Sequence, residues 1–105
     1  MPDQELRLPS PGFQWDPGKE VLNIQNHGVA FWQAELAFRD EKRIIARDTE
    51  HSTERETRYY CFARVGAGIM TVRFTYRSGQ IRIFGAGYWR KGKKTYEQQD
   101  RVHRG

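Results

Sequence analysis

The sequence predicts a single α+β domain: a short strand, two helices, an antiparallel sheet of three to four strands and a C-terminal helix. Three observations carry that prediction. Met70, Val72, Phe74 and Tyr76 alternate with Ile69, Thr71, Arg73, Thr75 and Arg77, the period of two that marks a half-buried strand. Helix punctuation brackets residues 16–28, with Asp16 as N-cap, Pro17 at the first helical position and Gly28 as the stop. A chain of 105 residues at 37% hydrophobic has room for one modest core, and six Phe, five Tyr and three Trp make that core aromatic.

Taken in order, residues 1–11 hold three of the four prolines and no periodicity, which predicts a flexible tail before a domain over 12–105. Phe13–Asp16 alternates as a short strand. The first helix runs through Val21, Leu22 and Ile24. A second, from Ala30 to about Arg39, has Phe31, Ala34, Leu36, Ala37 and Phe38 for an apolar face. Ile44–Asp48 reads as a strand and Thr49–Glu56 as a polar loop. From Arg58 onward three strands follow. A two-residue hairpin turn at Ser78-Gly79 pairs Tyr76 with Ile81, Phe74 with Ile83 and Val72 with Gly85. It sets Arg82 beside Thr75 and Arg73 beside Phe84 on the opposite face. At Gly66-Ala67-Gly68 a three-residue loop would send Tyr60 and Phe62 into the core. A two-residue loop would put Arg58 and Tyr60 on the open face beside Thr75 and Arg73, and the pattern admits both. The last segment, Arg90 to about Arg104, predicts a polar helix anchored by Trp89, Tyr96 and Val102.

The net charge of +5 conceals an asymmetry. Residues 1–56 carry seven Lys/Arg against eleven Asp/Glu, whereas residues 57–105 carry eleven against two. A one-signed half suits a polyanion or an acidic protein, although a solvated basic face would look the same. A charged fraction of 30% excludes a membrane span, and no apolar run approaches the required length. The opening residues carry no secretory signal and Cys61 stands alone, so the sequence predicts a cytoplasmic protein with Cys61 as a small core residue.

Two arginines on adjacent strands, Arg73 and Arg82, repel unless an anion joins them, and a phosphate fits guanidinium geometry. Gly85-Ala-Gly-Tyr-Trp-Arg-Lys-Gly-Lys-Lys94 places four cations within five residues, and Tyr88 and Trp89 offer faces for an unpaired base. The segment lacks the Gly-Lys-Ser/Thr of a nucleotide-triphosphate loop. Its bland reading is a strand end, a bend and a basic helix. His51, flanked by Glu50 and Glu54, has the chemistry of a proton shuttle, but spacing alone favours a solvated loop histidine. His27 reads as a capping cation and His103 as frayed. Neither a metal-ligand spacing nor a Ser/His/Asp arrangement is present, so no metal or cofactor is expected.

Phe13-Gln-Trp-Asp-Pro-Gly-Lys19, Asn23-x-x-x-His27-Gly-Val29 and Phe31 to Phe38 together resemble the opening of the BrnT-type toxins of bacterial toxin–antitoxin modules. The resemblance continues through His51-Ser52, Arg58-Tyr59, Phe74-Thr75, Ile81-Arg82-Ile83 and Tyr96-Glu97, and so covers residues 13–97. It implies a RelE-like fold and a metal-independent endoribonuclease that stalls translation. A BrnA-type ribbon-helix-helix antitoxin would neutralise it, and DNA contact would come only through that antitoxin. RNA would lie over the open sheet face while its 2′-hydroxyl attacks the adjacent phosphate, which calls for a base, a cationic clamp and an acid. Arg82 and Arg73 are the expected clamp, and His51 is the base or acid with Glu54 as its alternative. Tyr96 is a stacker or proton donor. Arg58, Thr75, Tyr88, Trp89, Arg90, Lys91, Lys93 and Lys94 are the expected RNA-binding set. Many members carry an arginine where this chain has Gly87, so that role is either lost here or moved to Arg90. The competing expectation is a non-catalytic basic module that binds nucleic acid or an acidic protein.

Overall fold

Asp16 and Gly28 bracket the first helix as predicted. The Asp16 side chain accepts a hydrogen bond from Gly18 N at 3.1 Å, and Gly28 ends the helix in the left-handed region at φ 69°. The computed structural model describes residues 5–104, the last three as backbone only. The order is β1 (Phe13–Trp15), α1 (Pro17–His27), α2 (Phe31–Glu35) running into a 3₁₀ turn (Leu36–Arg39), β2 (Ile44–Asp48), β3 (Arg58–Val65), β4 (Gly68–Arg77), β5 (Gln80–Gly87) and α3 (Arg90–Arg104). The second predicted helix is therefore α2 with a tightened last turn. Val102, an expected anchor, and His103 lie outside the residues whose side chains are described.

The sheet is larger than the sequence predicted. Five strands stand in the order β1-β5-β4-β3-β2, and β1 pairs in parallel with β5, Phe13 opposite Ile81 and Trp15 opposite Ile83. The sheet is thus mixed, because a three-residue strand suffices to cover part of the outer edge of β5. Beyond β1 that edge is met by α1. Asn23 Nδ2 donates to Val29 O and Ala86 O at 2.8 and 2.9 Å, and Ala86 N donates back to Asn23 Oδ1 at 3.1 Å. A buried amide side chain thus does the work of a strand partner. Glu20, also buried, accepts from Phe31 N at 2.8 Å and fixes the entry to α2. The face of α1 turned inward is polar, and Val21 and Leu22 face outward.

One face of the sheet carries the main core. Phe31, Ala34 and Ala37 pack from the helical layer onto Cys61, Met70, Val72, Phe74 and Ile83. Cys61 is fully buried, and burial pushes its thiol up to about 12, so it is an inert core residue as expected. Residues 5–11 form neither helix nor strand, yet Ser10 donates from N and Oγ to Glu35 at 2.9 and 2.7 Å.

Candidate active site on the open sheet face

Register decides which side chains share the second face. At Gly66-Ala67 the loop has two residues, pairing Val65 with Gly68 and hence Tyr60 with Arg73 and Arg58 with Thr75. At Ser78-Gly79 both central residues have positive φ, 54° and 73°, as a type I′ turn requires. The pairs Tyr76–Ile81, Thr75–Arg82 and Phe74–Ile83 follow as predicted. Past Phe74 the prediction fails. A β-bulge shifts the register, so Arg73 faces Gly85 and Val72 faces Ala86, with Phe84 as the extra residue.

Two cross-strand rows result. One runs Asp48–Arg58–Thr75–Arg82–Gln14 and the next Ala46–Tyr60–Arg73–Gly85. A third, Ile44–Phe62–Thr71–Gly87, lies beneath α3. Gly92 lets the helix settle there, because a Cβ at that position would run into Thr71 Oγ1 and the Phe62 ring. Between α3 and the exposed rows lies a groove of about 520 Å³, lined by His51, Tyr60, Arg73, Trp89, Lys91 and Thr95.

Among the described residues, Arg73 has no carboxylate partner, and the Arg82 guanidinium donates only to the neutral Gln14 Oε1, at 2.8 Å. The Arg58 guanidinium lies 4.2 Å from the centre of the Phe84 ring and 3.4 Å from Glu56 Oε1. Lys19 Nζ approaches the same ring at 5.1 Å. Phe84, the extra residue of the bulge, lies on the open face, where it gathers two cations. His51 closes the other side. Its Nδ1 sits 2.8 Å from Asp48 Oδ2, and its backbone N donates to Asp48 Oδ1 at 3.2 Å. Burial pushes the Asp48 carboxyl up, but bonds from the His51 ring and backbone and from the Tyr60 hydroxyl outweigh it and hold it below the ordinary range.

The expected site residues therefore divide. Arg58, Arg73, Arg82, His51, Trp89 and Lys91 meet on or beside the open face. Thr75 shares it, but is 2% exposed and donates its hydroxyl to Thr57 O at 2.6 Å. Glu54 is exposed and does not line the groove; the carboxylate at His51 is Asp48. Tyr88, Arg90, Lys93 and Lys94 line a different groove, of about 730 Å³, with Arg64 and Glu97 on its walls. Trp89 borders both. Gly87 does not cradle an anion, because the Trp89 indole lies against it and a Cβ there would meet Cε2 at 2.5 Å. The indole thus occupies the space in which an arginine at that position would begin.

Tyr96 stands apart. It is buried against Phe62 and Ile69, and its hydroxyl donates to Asp40 Oδ2 at 2.7 Å. Burial, then the hydrogen bond to Asp40 and its charge, pushes the phenol up to about 12. The Asp40 carboxyl is pushed up by burial but held lower by Arg64 N, Tyr96 and Lys42 N. Tyr96→Phe should therefore cost roughly 1–3 kcal/mol of unfolding free energy, read from denaturant midpoints. A carboxyl lowered on folding stabilises above its unfolded value and loses that contribution as pH falls through the folded one. The Tyr96→Phe deficit should accordingly shrink below pH 3.8, the ordinary Asp value.

Sequence reasoning missed Asp48, Lys19 and Phe84. Only Asp48 left a local signal, three residues before His51. Among the described residues, no three His, Cys, Asp or Glu side chains are placed to hold a metal ion, and no helix is long and apolar enough to cross a membrane. A comparison with curated proteins gives no match. Residues 15–92 match the family model described as ribonuclease toxin, BrnT, of type II toxin–antitoxin system. That span holds both exposed rows except Gln14, together with the bulge and His51, and it ends before Lys93, Lys94 and Tyr96. The chain belongs to the BrnT family of ribonuclease toxins of type II toxin–antitoxin systems.

Proposed function

We propose that this protein is a metal-independent endoribonuclease that cuts RNA on the open face between Arg73, Arg82 and His51 and so arrests translation. Its family gives it an RNA substrate and an antitoxin partner. The reading takes the architecture as RelE-like and the partner as a BrnA-type ribbon-helix-helix protein. The observation that carries it is a pair of guanidiniums without counter-charge, one on each side of a bulge, of which Arg73 lines the same groove as an imidazole braced by a buried carboxylate. The RNA 2′-oxygen forms a bond to the adjacent phosphorus and the bond from phosphorus to the 5′-oxygen breaks. His51 takes the 2′-hydroxyl proton, and the departing oxygen takes one from solvent. Arg73 and Arg82 stabilise the charge that builds on the phosphoryl oxygens. The Arg58–Phe84–Lys19 group grips flanking phosphates.

The groove lined by Tyr88, Arg90, Lys93 and Lys94 extends the grip beyond Trp89. Lys93→Ala with Lys94→Ala should weaken RNA binding irrespective of sequence. It should also reduce the slope of log affinity against log salt by about two, measured by titration at several salt concentrations. The function itself is tested by inducible expression. Growth and amino-acid incorporation should stop on induction and resume when the antitoxin is co-expressed. Unimpaired incorporation on induction would reject the toxin reading.

A further inference from the structure

Asp48 does more than accompany a loop histidine. It ends β2 at 3% exposure, and its own loop folds back over it. Ser52 N and Oγ donate to Asp48 O at 3.1 and 2.6 Å, while Arg58 N donates to Ser52 Oγ at 2.8 Å. The loop is thereby stitched to both β2 and β3, so the His51 backbone is held in place while its ring stays exposed. One carboxylate oxygen takes the His51 backbone N–H and the other faces Nδ1.

We infer that Asp48 is the positioning residue of the His51 base, fixing the imidazole with its proton on Nδ1 and its lone pair on Nε2, toward the groove. This rests on the ribonuclease reading above. An ionised carboxylate can only accept, so the nitrogen beside it must be the donor, and the neutral ring is left basic at Nε2. The 2′-hydroxyl proton therefore goes to Nε2. Tyr60, opposite Arg73 on the neighbouring strand, lines the same groove.

Two measurements test it. In wild-type protein, ¹⁵N spectra of His51 at a pH where the ring is neutral should show protonated Nδ1 and bare Nε2. The opposite tautomer would overturn the assignment, whether or not the protein cleaves RNA. Asp48→Asn should then lower kcat by about 100- to 10,000-fold, with KM changed less than about threefold, since a wrong tautomer removes the base and not the binding cations. In a His51→Ala background the same substitution should cost nothing more. A further loss equal to that of Asp48→Asn alone would show Asp48 acting independently of His51 and would also overturn the inference. If wild type does not cleave RNA at all, the ribonuclease reading fails, and the tautomer measurement still decides the geometry.

Discussion

Arg73→Ala should slow RNA cleavage by about 100- to 1,000-fold, the usual cost of removing one preorganised group from a developing charge. Folding stability should not fall with it. Arg73 stands in the middle of the open face, opposite Tyr60 on one strand and the bulge on the other, and has no carboxylate partner among the described residues. Its charge adds to those of Arg58 and Arg82 on the neighbouring row, so removing it relieves repulsion. Arg73→Lys should recover only part of the rate, because an ammonium cannot offer two parallel N–H donors to a phosphate. Single-turnover cleavage beside thermal unfolding checks both halves. A variant that loses stability and activity in step would show that Arg73 serves the fold.

Phe74→Ala should cost about 3–5 kcal/mol, enough to leave little folded protein at growth temperature. The ring is fully buried at the centre of the main core. Phe38 meets it edge-on at 5.0 Å, Tyr59 stacks at 5.5 Å and Tyr76 meets it edge-on at 5.4 Å. Three aromatic rings thus lose their common contact, and a cavity of that size cannot collapse without moving the strands. Phe74 is also the last residue in simple register before the bulge, so its loss should loosen the backbone that carries the bulge at Phe84. Chemical denaturation gives the energy, and Phe74→Leu should recover more than half of it.

The elements of the fold were legible because each has a local cause. Asp16-Pro17 and Gly28 mark α1, Ser78-Gly79 can form only a tight turn, and alternation exposes β4. What stayed hidden depends on partners distant in sequence. Phe13–Trp15 is too short to announce that it joins β5 in parallel. Nothing around Phe84 signals a bulge, since Ile81-Arg-Ile-Phe84 continues a strand pattern without a break. Extending the simple register past Phe74 therefore put Arg73 beside Phe84 and Val72 beside Gly85, one residue off. At the site, Arg73 and Arg82 were visible through alternation, whereas Glu50 and Glu54 drew attention from Asp48 because they flank His51 in sequence. A turn brings Asp48, three residues before His51, to the ring and leaves Glu54, three residues after it, in solvent. Likewise Tyr96 carries a reactive-looking phenol, but α3 spends it on Asp40.

The most direct test of cleavage on the open face is to incubate purified, antitoxin-free protein with RNA in excess EDTA and identify the new ends. Wild type should leave 2′,3′-cyclic phosphates, with cleavage slowed about 100-fold or more by Arg73→Ala. Intact RNA after prolonged incubation, or cleavage that Arg73→Ala leaves at the wild-type rate, would contradict it.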